Sequence, residues 1–178
     1  MTCPWVEIGN ALKTELETAR DASTFSIDDF TVRVGLGDFP EKLEDDEADG
    51  SRISPNPLVD IVLPVKPGMD LIGRPEVDHS VTYTMGLRQR LSSAYFRSDG
   101  AVDIDEIAEL LNLFHELIKW VFPTSSDPSN GSLTVTANYH AMWTPPVEIV
   151  KVWDPHLLET AKQYCGIFRF TGSINEAL

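Results

Sequence analysis

Between Val77 and Leu91 the side chains change character at almost every step. Val77, Val81, Tyr83, Met85, Leu87 and Leu91 stand at odd positions and Asp78, Ser80, Thr82, Thr84, Arg88 and Arg90 at even ones, with His79 and Gln89 as polar exceptions on the apolar side. In an extended chain successive side chains point to opposite faces, so this run reads as one long strand with a face in a core and a face in water. Such a strand buries nothing alone. It requires neighbouring strands and a layer over its apolar face, which the rest of the sequence must supply.

Two segments have the helical period that layer needs. From Pro4 to Arg20, Trp5, Ile8, Leu12, Leu16 and Ala19 recur on one side, with Pro4 at a position suited to the first helical turn. From Asp103 to Phe122, Ile104, Ile107, Leu110, Leu111, Phe114, Leu117, Ile118 and Val121 form an apolar stripe. Asp103 with Glu106 reads as a capping pair, and Pro123 stops the helix. Further strands are expected at Phe30 to Leu36, with Phe30, Val32, Val34 and Leu36 on one face, and at Leu58 to Val65, before the breaker-rich VKPGMDLIGRP. Leu133, Val135, Ala137, Tyr139, Ala141 and Trp143 define another strand after the Ser129-Asn130-Gly131 turn, ended by Pro145-Pro146. Asp154-Pro155 opens a short helix through Lys162, and Tyr164 to Thr171 closes the fold with Gly166, Phe168 and Phe170 on one face.

The order α-β-β-β-α-β-α-β, without repeats or a second apolar core, predicts a single α+β domain over residues 1–178. Its expected form is a mostly antiparallel sheet with helices packed on one face. A hydrophobic fraction of 42% against 24% charged residues is ordinary for such a domain. Residues 41–57 interrupt the pattern: Glu41, Glu44, Asp45, Asp46, Glu47 and Asp49 stand against Lys42 and Arg52 with no apolar period, which reads as a mobile acidic loop inserted between strands.

Charge and motif content narrow the function. A formal charge of −14 argues against a module that binds duplex DNA through a basic face. No apolar run approaches the ~18 to 20 residues that span a bilayer. MTCPWVEIGN lacks a basic segment followed by an apolar stretch, so a cytosolic chain without membrane partners is expected. Cys3 and Cys165 form no C-x-x-C pair and read as free thiols, and Asn130-Gly131-Ser132 reads as a turn rather than a glycosylation site.

His79, His115, His140 and His156 share no metal-binding spacing, since Lys119 stands where a second ligand after His115-Glu116 would be. Gly35-Leu36-Gly37-Asp38-Phe39-Pro40 begins like a dinucleotide loop, but Pro40 replaces the third glycine and no helix follows. Asp99-Gly100-Ala101-Val102-Asp103-Ile104-Asp105-Glu106 matches the later half of a calcium loop, yet Tyr95 and Arg97 occupy the first and third ligand positions, so a turn followed by a capped helix is expected. No nucleophile elbow, Walker loop or paired catalytic cysteine is present. No catalytic residue, metal ligand or cofactor is assigned, and Trp143 and Trp153 read as core residues. The candidates for contact with a partner or a lumen are Asp45, Asp46 and Glu47, whose carboxylates repel DNA or meet a basic surface at short range.

From Leu58 onward, about two thirds of the chain resembles the small neck and tail-terminator proteins of long-tailed bacteriophages. The resemblance lies in the strand LVDIVLPV, the Arg74 to Asp78 turn into VTYTMGLRQRL, the helix IDEIAELLNLFHELIKWV, the strand ending AMWTPP, and VWDPHLLETAKQYCGIFRF. It implies a virion subunit, assembled in the host cytoplasm, that forms a closed ring of six copies. Such a ring caps the finished tail tube, joins it to the head connector, and lets DNA pass through its hole without specific binding. A ring of heterologous contacts offers one face to the tube protein and another to the head side. Strong acidity suits a lumen through which DNA slides. A head-completion or connector protein of the same neck and a cytosolic metal-dependent enzyme are the alternative readings.

Overall fold

The computed structural model describes residues 3–40, 56–64, 68–70, 78–122 and 133–176. Helix α1 runs Pro4–Asp21, and strands β1 (Thr31–Gly35), β2 (Leu58–Val62), β3 (Gly68–Asp70) and β4 (Asp78–Arg90) follow. A 3₁₀ turn at Ser93–Tyr95 leads to α2 (Ile104–Val121), then β5 (Leu133–Val135), β6 (Tyr139–Lys151), α3 (Pro155–Thr160) and β7 (Gln163–Glu176). The class is α+β with a mixed sheet. Among the described residues no helix is long and apolar enough to cross a membrane.

The strands lie in the order β1-β2-β4-β7-β6-β5, with β3 paired to the start of β4. β1 and β2 run parallel, whereas the other pairs are antiparallel. A parallel pair cannot be closed by a tight turn, because the chain must return to the end from which it started. The connection between β1 and β2 is therefore not a hairpin turn.

The long pair β4–β7 is the spine of the sheet. Tyr83 faces Phe170, Met85 faces Phe168 and Leu87 faces Gly166 across it, all on one side and all buried. α2 covers this side through Phe114, whose ring meets Phe168 edge-on at 5.7 Å and lies where a Cβ on Gly166 would stand. α1 covers its neighbouring part. The Tyr83 hydroxyl donates to the Trp5 carbonyl at 2.6 Å, and Gly9 comes so close to Leu63 that a side chain there would overlap it. Arg20 ties the end of α1 to the sheet by donating to the Phe30 carbonyl at 2.7 Å. Ile8, Leu12 and Leu16 are buried beneath it.

Several expectations are corrected. The element order has two strands more than expected: β3 forms within the breaker-rich stretch, and Leu133 to Trp143 is a hairpin rather than one strand. Its turn is built by Thr136, whose backbone N–H donates to the Tyr139 carbonyl at 2.8 Å while its hydroxyl accepts from Tyr139 N–H at 2.9 Å. The turn reverses the alternation, so Leu133 and Val135 are exposed and Thr134 is buried.

Pro145-Pro146 does not end the following strand, for β6 continues to Lys151. Its pairing with β7 shifts between Thr144 and Glu148, so the missing proline N–H groups fall where the ladder is already interrupted. β7 is likewise longer than expected and is buried on both faces over Gln163–Phe168.

α2 is rotated from the expected facing. Leu113 is fully buried with Ile107, Leu110, Phe114, Leu117 and Val121, whereas Ile104 is 74% exposed and Leu111 and Ile118 are only partly buried. The Asp103 side chain caps α2 by accepting from Asp105 N–H at 3.0 Å, and Asp103 N–H donates to the Tyr95 carbonyl. The reciprocal bond of a capping box is thus replaced by one to the preceding turn.

Candidate functional site

The second face of the sheet, away from α1 and α2, is closed at one end and open at the other. At the closed end Asp60 sits in the middle of the apolar strand β2, 5% exposed, and its carboxylate holds two guanidinium groups. Arg88 donates to Oδ2 through Nε at 2.8 Å and Nη2 at 2.7 Å, and Arg33 donates to Oδ1 at 3.2 and 3.0 Å. The Phe39 ring lies over the Arg88 guanidinium at 5.7 Å and fills the space left by Gly86, where any Cβ would collide with it. Arg88 is therefore buried on the face that alternation assigns to water. An acid inside the run LVDIVLPV was the available signal, because a buried carboxylate needs a partner.

Beyond this ion cluster a trough of about 400 Å³ crosses the sheet, floored by Thr82, Thr84, Ile167 and Arg169 and walled by Phe39 and Val150. The Thr82 and Thr171 hydroxyls share a hydrogen bond of 2.9 Å, and Arg169 donates to Glu148 at 3.3 Å. At the open end the β5–β6 hairpin carries Leu133, Val135 and Met142, each about half exposed. Leu133 and Met142 stand directly opposite in the register.

Behind the hairpin, on its buried side, Trp143 Nε1–H donates to the Thr134 hydroxyl at 3.2 Å, and that hydroxyl donates to Glu15 of α1 at 3.3 Å. Burial raises the Glu15 pKa, and the bonds from Thr134 and the Val135 backbone only partly offset this.

A second apolar surface lies elsewhere. Between the first turns of α2 and the segment leading into α3 is a groove of about 260 Å³, lined by Val102, Ile104, Ile107, Leu111, Trp153 and Leu158. Trp153 is 49% exposed, which corrects its expected place in the core, whereas Trp143 is buried. The Asp154 carboxylate starts α3 by accepting from Leu157 N–H at 3.1 Å and pairs with Lys151 at 2.9 Å, which holds its pKa below the ordinary value.

Asp45, Asp46 and Glu47, with the rest of 41–55, lie outside the described residues, as do the Arg74 to Val77 part of the expected turn and Asn130-Gly131-Ser132. The histidines are scattered: His79 is buried edge-on to Trp5 at 5.6 Å, while His115, His140 and His156 are exposed on α2, β6 and α3. Neither Cys3 nor Cys165 forms a disulfide among the described residues.

Asp99 to Glu106 forms a turn and a helix start. Ala101 N–H donates to the Asp99 carboxylate at 3.0 Å, and Arg97 N–H donates to the Ala101 carbonyl at 2.8 Å. Among the described residues no three His, Cys, Asp or Glu side chains gather as a metal ion would require. The sequence matches no protein-family model and no curated protein.

Proposed function

We propose that this chain is the ring-forming tail terminator of a long-tailed bacteriophage, a virion protein that caps the tail tube, stops its elongation and joins it to the head connector while DNA passes through. In this reading the antiparallel core of the sheet with α1 and α2 on one face is the terminator-like domain. The observation that carries the proposal is the exposed β5–β6 hairpin at one end of the sheet.

Leu133, Val135 and Met142 present an apolar surface there, and β1, at the opposite end of the strand order, presents a different one, with Leu36 just past its end 80% exposed. Two unlike surfaces on one subunit are what a closed head-to-tail ring requires. The acidity of the chain, −14 per copy, supports a lumen that does not retain DNA.

The test is to add purified protein to tail tubes of the same phage and to label the subunit in intact particles. Capped tubes that no longer elongate, with label between head and tail, are expected. Label on the head side with tubes left free to elongate would identify a head-completion protein instead. Absence from the particle ends the neck reading.

A further inference from the structure

We propose that the trough on the second face of the sheet is a binding site for a small amphipathic carboxylate, one acid group on an aliphatic tail. Its lining is divided: Thr82, Thr84 and Arg169 bring polar groups, and Phe39, Val150 and Ile167 bring apolar surface. The apolar part is fixed before any ligand arrives. The Phe39 ring is seated over Gly86 and the Arg88 guanidinium, and Ile167 stands opposite Gly86 in the register. A cavity of about 400 Å³ with apolar walls and a few convergent polar groups is the usual form of a small-molecule site.

Arg169 sets the charge of the ligand. Its guanidinium meets Glu148 through Nη1 alone, at 3.3 Å, and the two side chains are 45% and 64% exposed. A single contact so open to water contributes little. Nε and Nη2 of Arg169 have no partner among the described residues, and neither has the hydroxyl of Thr84, directly opposite on β4. That free edge of the guanidinium matches a carboxylate through two parallel N–H···O bonds, and the Thr84 hydroxyl adds a third donor. Glu148 thus stands in for the ligand's acid group. Asp38, the acid of the lining, precedes Phe39 in the wall, so like-charge repulsion turns the carboxylate toward Arg169 and the tail toward Phe39. This inference rests on the trough alone and fails separately from the neck reading, which the tube-capping assay tests.

The probe is octanoate, titrated into the full chain by calorimetry while the methyl resonances of Thr82, Thr84 and Ile167 are followed by NMR. Acetate, octanol and octylamine are the controls, with the tail removed, the charge removed and the charge reversed. Saturable binding of octanoate with shifts at those methyls is expected, and each control should bind about tenfold more weakly or not at all. Arg169→Gln, at an exposed position, should leave the thermal unfolding unchanged and weaken octanoate binding about tenfold.

Glu148→Gln removes the competing carboxylate and should tighten binding about threefold, a gain that a merely structural ion pair would not give. The proposal is overturned by an absence of saturable octanoate binding, or by octanol binding as tightly as octanoate. It is equally overturned by methyl shifts confined to other parts of the chain, by unchanged affinity in Arg169→Gln, or by weaker binding in Glu148→Gln.

Discussion

At the scale of single residues, Thr134 shows how one hydroxyl outweighs a hydrophobic pattern. By alternation alone Leu133 and Val135 belong inside, but the buried Trp143 indole N–H needs an acceptor and Thr134 supplies it. Thr134→Val should cost about 1–3 kcal/mol in chemical denaturation, since a buried donor is left unpaired, while Thr134→Ser should retain most of the stability. Equal stability of the two variants would remove Thr134 from this role.

Glu15, the next member of the chain of bonds, gives the effect a pH signature. Its raised pKa means that the folded state keeps the proton longer than the unfolded chain, so stability falls as pH rises from the ordinary value of 4.5 through the folded value. Glu15→Gln should flatten that fall, visible as a wild-type-minus-variant stability difference that becomes more negative as pH rises. Asp154 acts in the opposite sense: its stabilisation is complete above its ordinary pKa and is lost as pH falls through the lowered one. In the Asp60 cluster the two arginines differ by exposure. Asp60→Asn strips Arg88 of this counter-charge inside the protein and should cost about 3–5 kcal/mol. Arg33→Ala removes a guanidinium that is 53% exposed and should cost less than about 1 kcal/mol.

At the scale of elements, α2 separates what periodicity fixes from what it leaves open. Its apolar residues occupy so wide an arc that a helix is certain from the sequence while the centre of the buried face is not. Leu113 lies inside and Ile104 outside because Phe114 is anchored over Gly166 and sets the rotation. Leu113→Asp should therefore destabilise by several kcal/mol, through lost packing and an unpaired buried charge. Ile104→Asp should stay within about 0.5 kcal/mol of wild type. The reverse ranking in thermal unfolding would refute the facing.

The same distinction runs through the other elements. α1 and the first half of β4 were legible because period and burial agree along them, whereas Leu36 just past β1, Asp60 in β2 and Arg88 in β4 depart from the pattern. The β5–β6 turn was not, because Thr136, Ala137 and Asn138 preserve the look of an alternating strand while the chain reverses. β6 past Pro146 was not, because proline is tolerated only where pairing is irregular, and that irregularity depends on β7. The groove was hidden for a related reason: Ile104 and Trp153 are ordinary core residues in a linear reading, and only the rotation of α2 and the placement of α3 leave them in water.

At the scale of the whole molecule, the dominant property is charge, and it bears directly on assembly. Each copy carries −14, so a ring of identical subunits must bring like charges together. In the proposed ring that repulsion would oppose closure whatever apolar contact the β5–β6 hairpin supplied. Screening changes the balance, because the Debye length shortens from about 10 Å at 0.1 M salt to about 3 Å at 1 M.

The apolar contact does not weaken over that range, so self-association of the isolated protein should strengthen with added sodium chloride, with monomer favoured at low salt. Sedimentation velocity across a salt series measures this directly. Leu133→Ser, at an exposed position, should weaken the assembled form at high salt without changing the thermal unfolding of the monomer. Lys substitutions at Asp45, Asp46 and Glu47 lower the negative charge of each copy and should lower the salt required. Rings that form best at low salt, or a protein that remains monomeric at every salt concentration and in the presence of tail tubes, would show that its acidity serves something other than a self-assembled ring.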